Sequence, residues 1–131
     1  MSLDVGAYEQ QRAAGRARPL YPPACWGTCG TGYGLMAVLR ERGLRNIARW
    51  LPFVQSDKDL LHWLLNKLVR PQLIPSSRED VLIEHALARE ALAMVLATMT
   101  DELPQLRYDL VVAGGGVLAH APHPGLAVLT L

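Results

Sequence analysis

The chain has 131 residues, half of them apolar and few aromatic, with a formal net charge of +1. That length suits one ordinary domain built on a single hydrophobic core, and the mix suits Leu/Ala-rich helices better than a β-sandwich. The near-neutral charge excludes a general pull toward nucleic acid or anionic lipid, and no apolar run approaches the ~20 residues of a membrane span.

The first residues are acidic and polar, unlike a secretory leader, so the chain reads as cytoplasmic. Arg12, Arg16 and Arg18 make the N-terminal stretch locally basic, without the interleaved aromatics of a single-strand platform. Gly6, Gly15, Pro19, Pro22 and Pro23 interrupt any periodicity, and residues 1–24 are expected to be irregular. Cys25 and Cys29 are too few for a disulfide framework. Their spacing matches two ligands of an iron–sulfur triad, but Thr31 and Gly32 stand where a third cysteine is needed. No metal is expected.

Helical periodicity begins after the glycine-rich stretch 27–34. Leu35, Val38 and Leu39 share one face, and Arg40, Glu41 and Arg42 the other. Gly43 is a natural stop just past a helix end. A second helix is predicted over 44–51 with Ile47, Ala48 and Leu51 inward, ended by Pro52. Ser56 with Asp59 three residues on opens a third, whose apolar positions are Leu60, Leu61, Leu64, Leu65 and Leu68. Ser77 with Asp80 opens the longest, running through Ile83, Leu87, Glu90, Ala91, Met94 and Val95 and fading before Pro104.

After Tyr108 the pattern changes. Residues 109–113 form a short apolar run ending in Gly114-Gly115-Gly116, as a buried parallel strand would. Pro124 then suits the first position of a terminal helix. No other convincing strand is visible, and a lone strand leaves its backbone groups unsatisfied. The expectation is therefore a piece of a larger protein whose partner strands lie elsewhere.

Few residues point to chemistry. A strand feeding glycines presents backbone N–H groups where nucleotides bind, although the run is neither a dinucleotide fingerprint (Ala119 replaces the last glycine) nor a P-loop. From the residues alone it is a tight turn before it is a ligand loop. His120 and His123 flank a proline and read as loop residues; His62 and His85 read as surface or partly buried packing. Glu79, Asp80, Glu84 and Glu90 follow helical spacing and read as a solvated or capping face. There is no Gly-x-Ser-x-Gly elbow, and neither cysteine has a histidine with an orienting acid. No catalytic residue is assigned.

Several blocks together resemble the MutL family associated with glutamate mutase, which is distinct from the mismatch-repair protein of similar name. They are residues 34–39, 47–53, 64–75 and 79–92, and the glycine block 114–122 with Pro124-Gly125. The resemblance extends from about Gly27 to the C-terminus. It implies membership of the actin/Hsp70/sugar-kinase group, whose two ribonuclease-H-like lobes close over ATP with Mg. It also implies an ATP-dependent, reactivase-like or chaperone-like accessory role beside a coenzyme-B12-dependent mutase. Residues 25–131 would be part of a second lobe. The fold would be mainly α: four or five helices followed by a strand, glycine loop and helix of an incomplete ribonuclease-H-like lobe. Carried over by position, Gly114, Gly115 and Gly116 would approach the adenosine, with Val117 and Gly125 lining the pocket.

The group's Asp-x-Gly-Ser/Thr phosphate turn has no match here, where residues 26–30 read Trp-Gly-Thr-Cys-Gly. This chain alone is thus expected neither to hold ATP tightly nor to hydrolyse it. A second expectation, from the run of amphipathic helices, is a small helical interaction module that self-associates or docks without nucleotide.

Overall fold

The computed structural model describes residues 3–5, 8–10, 17–19, 24–26, 31–32, 34–102 and 112–131. The fold is mainly helical, and the described residues form six helices: α1 Leu35–Arg42, α2 Leu44–Ala48, α3 Asp57–Val69, α4 Arg78–Glu102, α5 Gly116–Ala119 and α6 Pro124–Thr130.

The N-terminal segment differs from the irregular stretch expected of residues 1–24. Its described residues form four three-residue strands: β1 Leu3–Val5, β2 Tyr8–Gln10, β3 Ala17–Pro19 and β4 Ala24–Trp26. β1 pairs antiparallel with β4, Leu3 opposite Trp26, and β2 with β3, Tyr8 opposite Pro19. The inner pair is nested in the connection of the outer one. Pro19 stands at the end of β3, where a missing N–H is tolerated. Each strand is below the length that periodicity can reveal.

Helix boundaries follow local chemistry. Gly43 closes α1 with its N–H on the Leu39 carbonyl at 2.9 Å and adopts φ 76°, ψ 159°, a region essentially confined to glycine. Ser56 caps α3: its hydroxyl accepts from the Asp59 N–H at 3.2 Å and donates to the Asp59 carboxylate at 2.6 Å. Ser77 and Asp80 form the reciprocal box opening α4, with the Asp80 N–H on the Ser77 hydroxyl at 3.0 Å and the Ser77 N–H on the Asp80 carboxylate at 3.0 Å. Acidic side chains at both N-termini also complement the helix dipole. Pro124 is the first residue of α6, and the His123 ring caps it by accepting from the Gly125 N–H at 3.0 Å.

The long helix α4 is the spine. α1, α2, α5 and α6 all pack on it, and α3 packs on α1 and α2 while reaching α4 directly through Trp63 and Lys67. Leu35, Val38, Ile47, Leu60, Leu64, Ile83, Ala86, Leu87 and Ala91 form one buried cluster. Covering α4 from several sides buries every residue from Ile83 to Ala88, so its buried face is wider than one amphipathic stripe.

Two expected elements are corrected. α2 ends at Ala48, because the chain turns at Arg49 and Trp50. On α3, Leu61 and Leu65 are exposed, and Leu60, Leu64 and Lys67 take the buried face. The expected strand over 109–113 falls mostly outside the described residues. Val112 and Ala113, which are described, have no regular secondary structure and are exposed. The glycine run leads instead into the short helix α5, which the sequence reading lacks.

Gly43→Ala should cost about 1–3 kcal/mol, since space for a methyl exists but the backbone conformation resists it. Leu87→Ala, at a fully buried site, should cost about 2–5 kcal/mol. Urea unfolding of both variants measures this; unchanged midpoints would contradict the packing described.

Candidate functional site

Three polar clusters surround α4, and one of them lines a groove. Glu90 is completely buried and in register with Ile83, Leu87 and Ala91. Its carboxylate receives Arg42 Nε at 2.7 Å, Arg49 Nη2 at 2.9 Å and Trp50 Nε1 at 2.7 Å. Arg89 lies 3.7 Å and Arg49 4.6 Å from the Trp50 ring centroid, so two cations contact the ring through its π electrons. Burial alone would raise the Glu90 pKa, but the Trp50 and Arg42 hydrogen bonds and the two guanidinium charges outweigh it, and the pKa falls below its ordinary value. The cluster clamps the α1–α2 corner onto α4.

The second cluster ties α3 to the start of α4. Trp63 Nε1 donates to Asp80 at 2.7 Å. The Asp80 carboxylate also accepts the Ser76 N–H at 3.0 Å and the Ser76 hydroxyl at 2.9 Å. Burial acts to raise its pKa, and these donors bring it below the ordinary value.

The third cluster borders an open groove of about 570 Å³. Lys67 Nζ pairs with the Glu84 carboxylate and also donates to the Leu73 carbonyl at 2.6 Å, and both side chains are largely buried. This pair closes the groove floor without leaving a net charge. The walls are largely apolar: Pro71, Leu73, Ile74 and Pro75 from the α3–α4 connection, and Val81 from α4. Thr31 and Gly32 also line it, as do Gly116, Val117 and His120 from α5 and its end. His85 completes the lining. It is 5 % exposed, and its Nδ1 lies 2.7 Å from the Thr130 hydroxyl on α6. Burial lowers the His85 pKa, and the nearby Glu84 charge only partly opposes this, so the ring is neutral at pH 7.

Of the residues assigned to a ligand loop, Gly116 and Val117 line this groove. Gly114 and Gly115 precede it on the exposed connection, Gly115 with φ 102° as the residue capping α5. Gly125 is not in the lining. It packs under the His123 ring, where an added Cβ would lie 3.0 Å from Nδ1. His120 borders the groove and His123 caps α6.

The reading of Glu84 and Glu90 as a solvated face is corrected: both are buried and paired. His85 is a groove residue as well as a packing residue. Glu90 was legible as a position on the apolar stripe, and Lys67 likewise recurs with Leu60 and Leu64; their charges hid the signal. Cys29 lies outside the described residues. Among the described residues no group of three or more His, Cys, Asp or Glu side chains is arranged to hold a metal, and no helix is long and apolar enough to cross a membrane.

A family model described as MutL protein matches residues 4–131. The chain belongs to the MutL family. The match begins well before Gly27 and so takes in most of the N-terminal segment, where the sequence blocks gave no resemblance. No curated protein and no solved structure matches the chain.

The lowered pKa values set the acid response of this MutL protein. A group with a depressed folded-state pKa contributes stability above its unfolded value and loses it as pH falls through the folded one. His85 should therefore begin to destabilise the fold below its ordinary value of 6.5, and Glu90 and Asp80 below 4.5 and 3.8. Thermal unfolding from pH 7.5 to 5 should show a falling Tm in the wild type and a flatter profile in His85→Phe. A second check is Glu90→Ala, which strands two guanidinium groups and should cost about 3 kcal/mol in urea unfolding at pH 7.

Proposed function

We propose that this MutL protein is part of an ATP-dependent, reactivase-like accessory protein for a coenzyme-B12-dependent glutamate mutase. The observation that carries the reading is membership of the MutL family over nearly the whole chain. The groove beside α5 supports it. A glycine run enters a short helix there, and Gly116 and Val117 border a largely apolar slot of a size suited to a small ligand. On this reading Gly114, Gly115, Gly116 and Val117 form the loop that approaches adenosine, Gly125 supports it through the His123 cap, and ATP arrives with Mg. The helices would belong to the second lobe of an actin-like ATPase of ribonuclease-H-like architecture, working in the cytoplasm. Without an Asp-x-Gly-Ser/Thr phosphate turn in these residues, binding by this chain is weak and turnover absent.

A second reading, a helical interaction module without nucleotide, draws on exposed apolar side chains. Val128, Leu129 and Leu131 on and after α6, with Val69 and Ile74 near the α3–α4 connection, are all substantially exposed and would serve self-association or docking.

The two readings separate in one experiment with two readouts. Millimolar ATP with Mg should raise the Tm, because a ligand that binds only the folded state stabilises it by mass action. Sedimentation with purified glutamate mutase should give a complex. An unchanged Tm together with concentration-dependent self-association would favour the interaction module. Absence of a complex with the mutase, with and without nucleotide, would overturn the accessory role.

A further inference from the structure

His85 makes a directional commitment on one side of its ring. Thr130 Oγ1 donates its single hydrogen to the Leu126 carbonyl at 2.8 Å, a back-bond within α6. It therefore has only lone pairs to offer the imidazole 2.7 Å away, and His85 Nδ1 must carry the proton and donate. A neutral imidazole protonated at Nδ1 has an unprotonated Nε2 that can only accept. Nε2 lies across the ring from Thr130, has no hydrogen-bond partner among the described residues, and is not sealed from solvent. The ring itself lines the groove, although the residue is 95 % buried by its 5 % exposure. Lys67 beside it is already engaged by Glu84 and by the Leu73 carbonyl. An acceptor open to the groove is free to take a hydrogen bond from a donor on a ligand.

We infer that His85 Nε2 is a hydrogen-bond acceptor for the exocyclic amine of a flat heterocycle seated in the groove, so that the groove selects 6-aminopurines over 6-oxopurines. The inference rests on the nucleotide reading above and adds to it a residue and a specificity. The lining suits a planar apolar face, since Pro71, Leu73, Ile74, Pro75 and Val117 all contribute to it. A 6-oxopurine would set a carbonyl oxygen against the Nε2 lone pair, two acceptors with no proton between them. A site built to bond a donor discriminates strongly against a ligand lacking it. Thr130 acts as the positioning residue that holds the tautomer.

The test uses adenosine, inosine and N6,N6-dimethyladenosine, followed by chemical-shift titration of the protein labelled with 15N at histidine. Adenosine should bind at least about tenfold more tightly than the other two, a difference of about 1.4 kcal/mol, and should move the His85 Nε2 resonance while leaving His62 in place. His85→Phe should bind all three ligands with similar affinity. Thr130→Val, which frees the tautomer, should narrow the preference while keeping adenosine binding. Equal binding of adenosine and inosine by the wild type would overturn the role of His85 and leave the nucleotide reading standing. A preference that survives in His85→Phe would do the same. No binding of any of the three would overturn both. Because the wild-type comparison needs no substitution, a variant that fails to fold does not spare the inference.

Discussion

The structure depends on covering α4 from several sides at once. A helix buried over most of its circumference cannot place polar residues on a solvent face, so each one must find a partner on a neighbouring element. Glu84 meets Lys67 of α3, His85 meets Thr130 of α6, and Glu90 meets Arg42 and Arg49 with Trp50 beside the α1–α2 corner. These three residues lie within two turns, and each points to a different element. Apolar packing gathers the helices, and these contacts fix their rotation about α4. Burial on its own would allow several rotations of nearly equal area; a buried carboxylate with two guanidinium partners allows one.

That arrangement also explains where the groove lies. The α3–α4 connection is rich in proline, with Pro71 and Pro75, and crosses the start of α4 without forming a helix of its own. The Lys67 ammonium reaches out of α3 to the Leu73 carbonyl and holds this connection back from the core. α5 borders the slot as well, and the chain enters that helix through Gly115 at φ 102°. The slot between them is apolar because its walls are mostly prolines and aliphatic side chains, and the His85 ring is among the polar groups that line it.

Much of the helical framework was legible in the residues. Ser56–Asp59, Ser77–Asp80, Gly43 and Pro124 mark helix ends through hydrogen bonds and dihedral limits local to a few residues, and local effects are what a sequence displays. Ile47, Leu64 and Leu87 were likewise inward by spacing alone. What was hidden depends on tertiary partners. Glu84, Glu90 and Lys67 look solvated until a counter-charge from another helix is in place, and their separation in the chain conceals it. Leu61 and Leu65 look buried until Trp63 and Lys67 take the inward face of α3. The strands between Leu3 and Trp26 are three residues each and gain their definition from pairing. Of the glycine run, Gly115 alone has a left-handed backbone angle, and Gly116 and Val117 line the groove while Gly114 and Gly115 are not part of its lining.

The two indole rings seated on α4 have an optical consequence. Trp50 and Trp63 each end their N–H on a carboxylate of the same helix, Glu90 and Asp80, ten residues and nearly three turns apart. One reports contact with the α1–α2 corner, the other contact with α3. Two guanidinium groups lie against Trp50, so the two rings differ in electrostatic surroundings as well as in position. Trp26 is the third tryptophan of the chain; with it replaced, the remaining light would come from the start of α4 and from its middle, and loosening at one place alone could be followed without an added label.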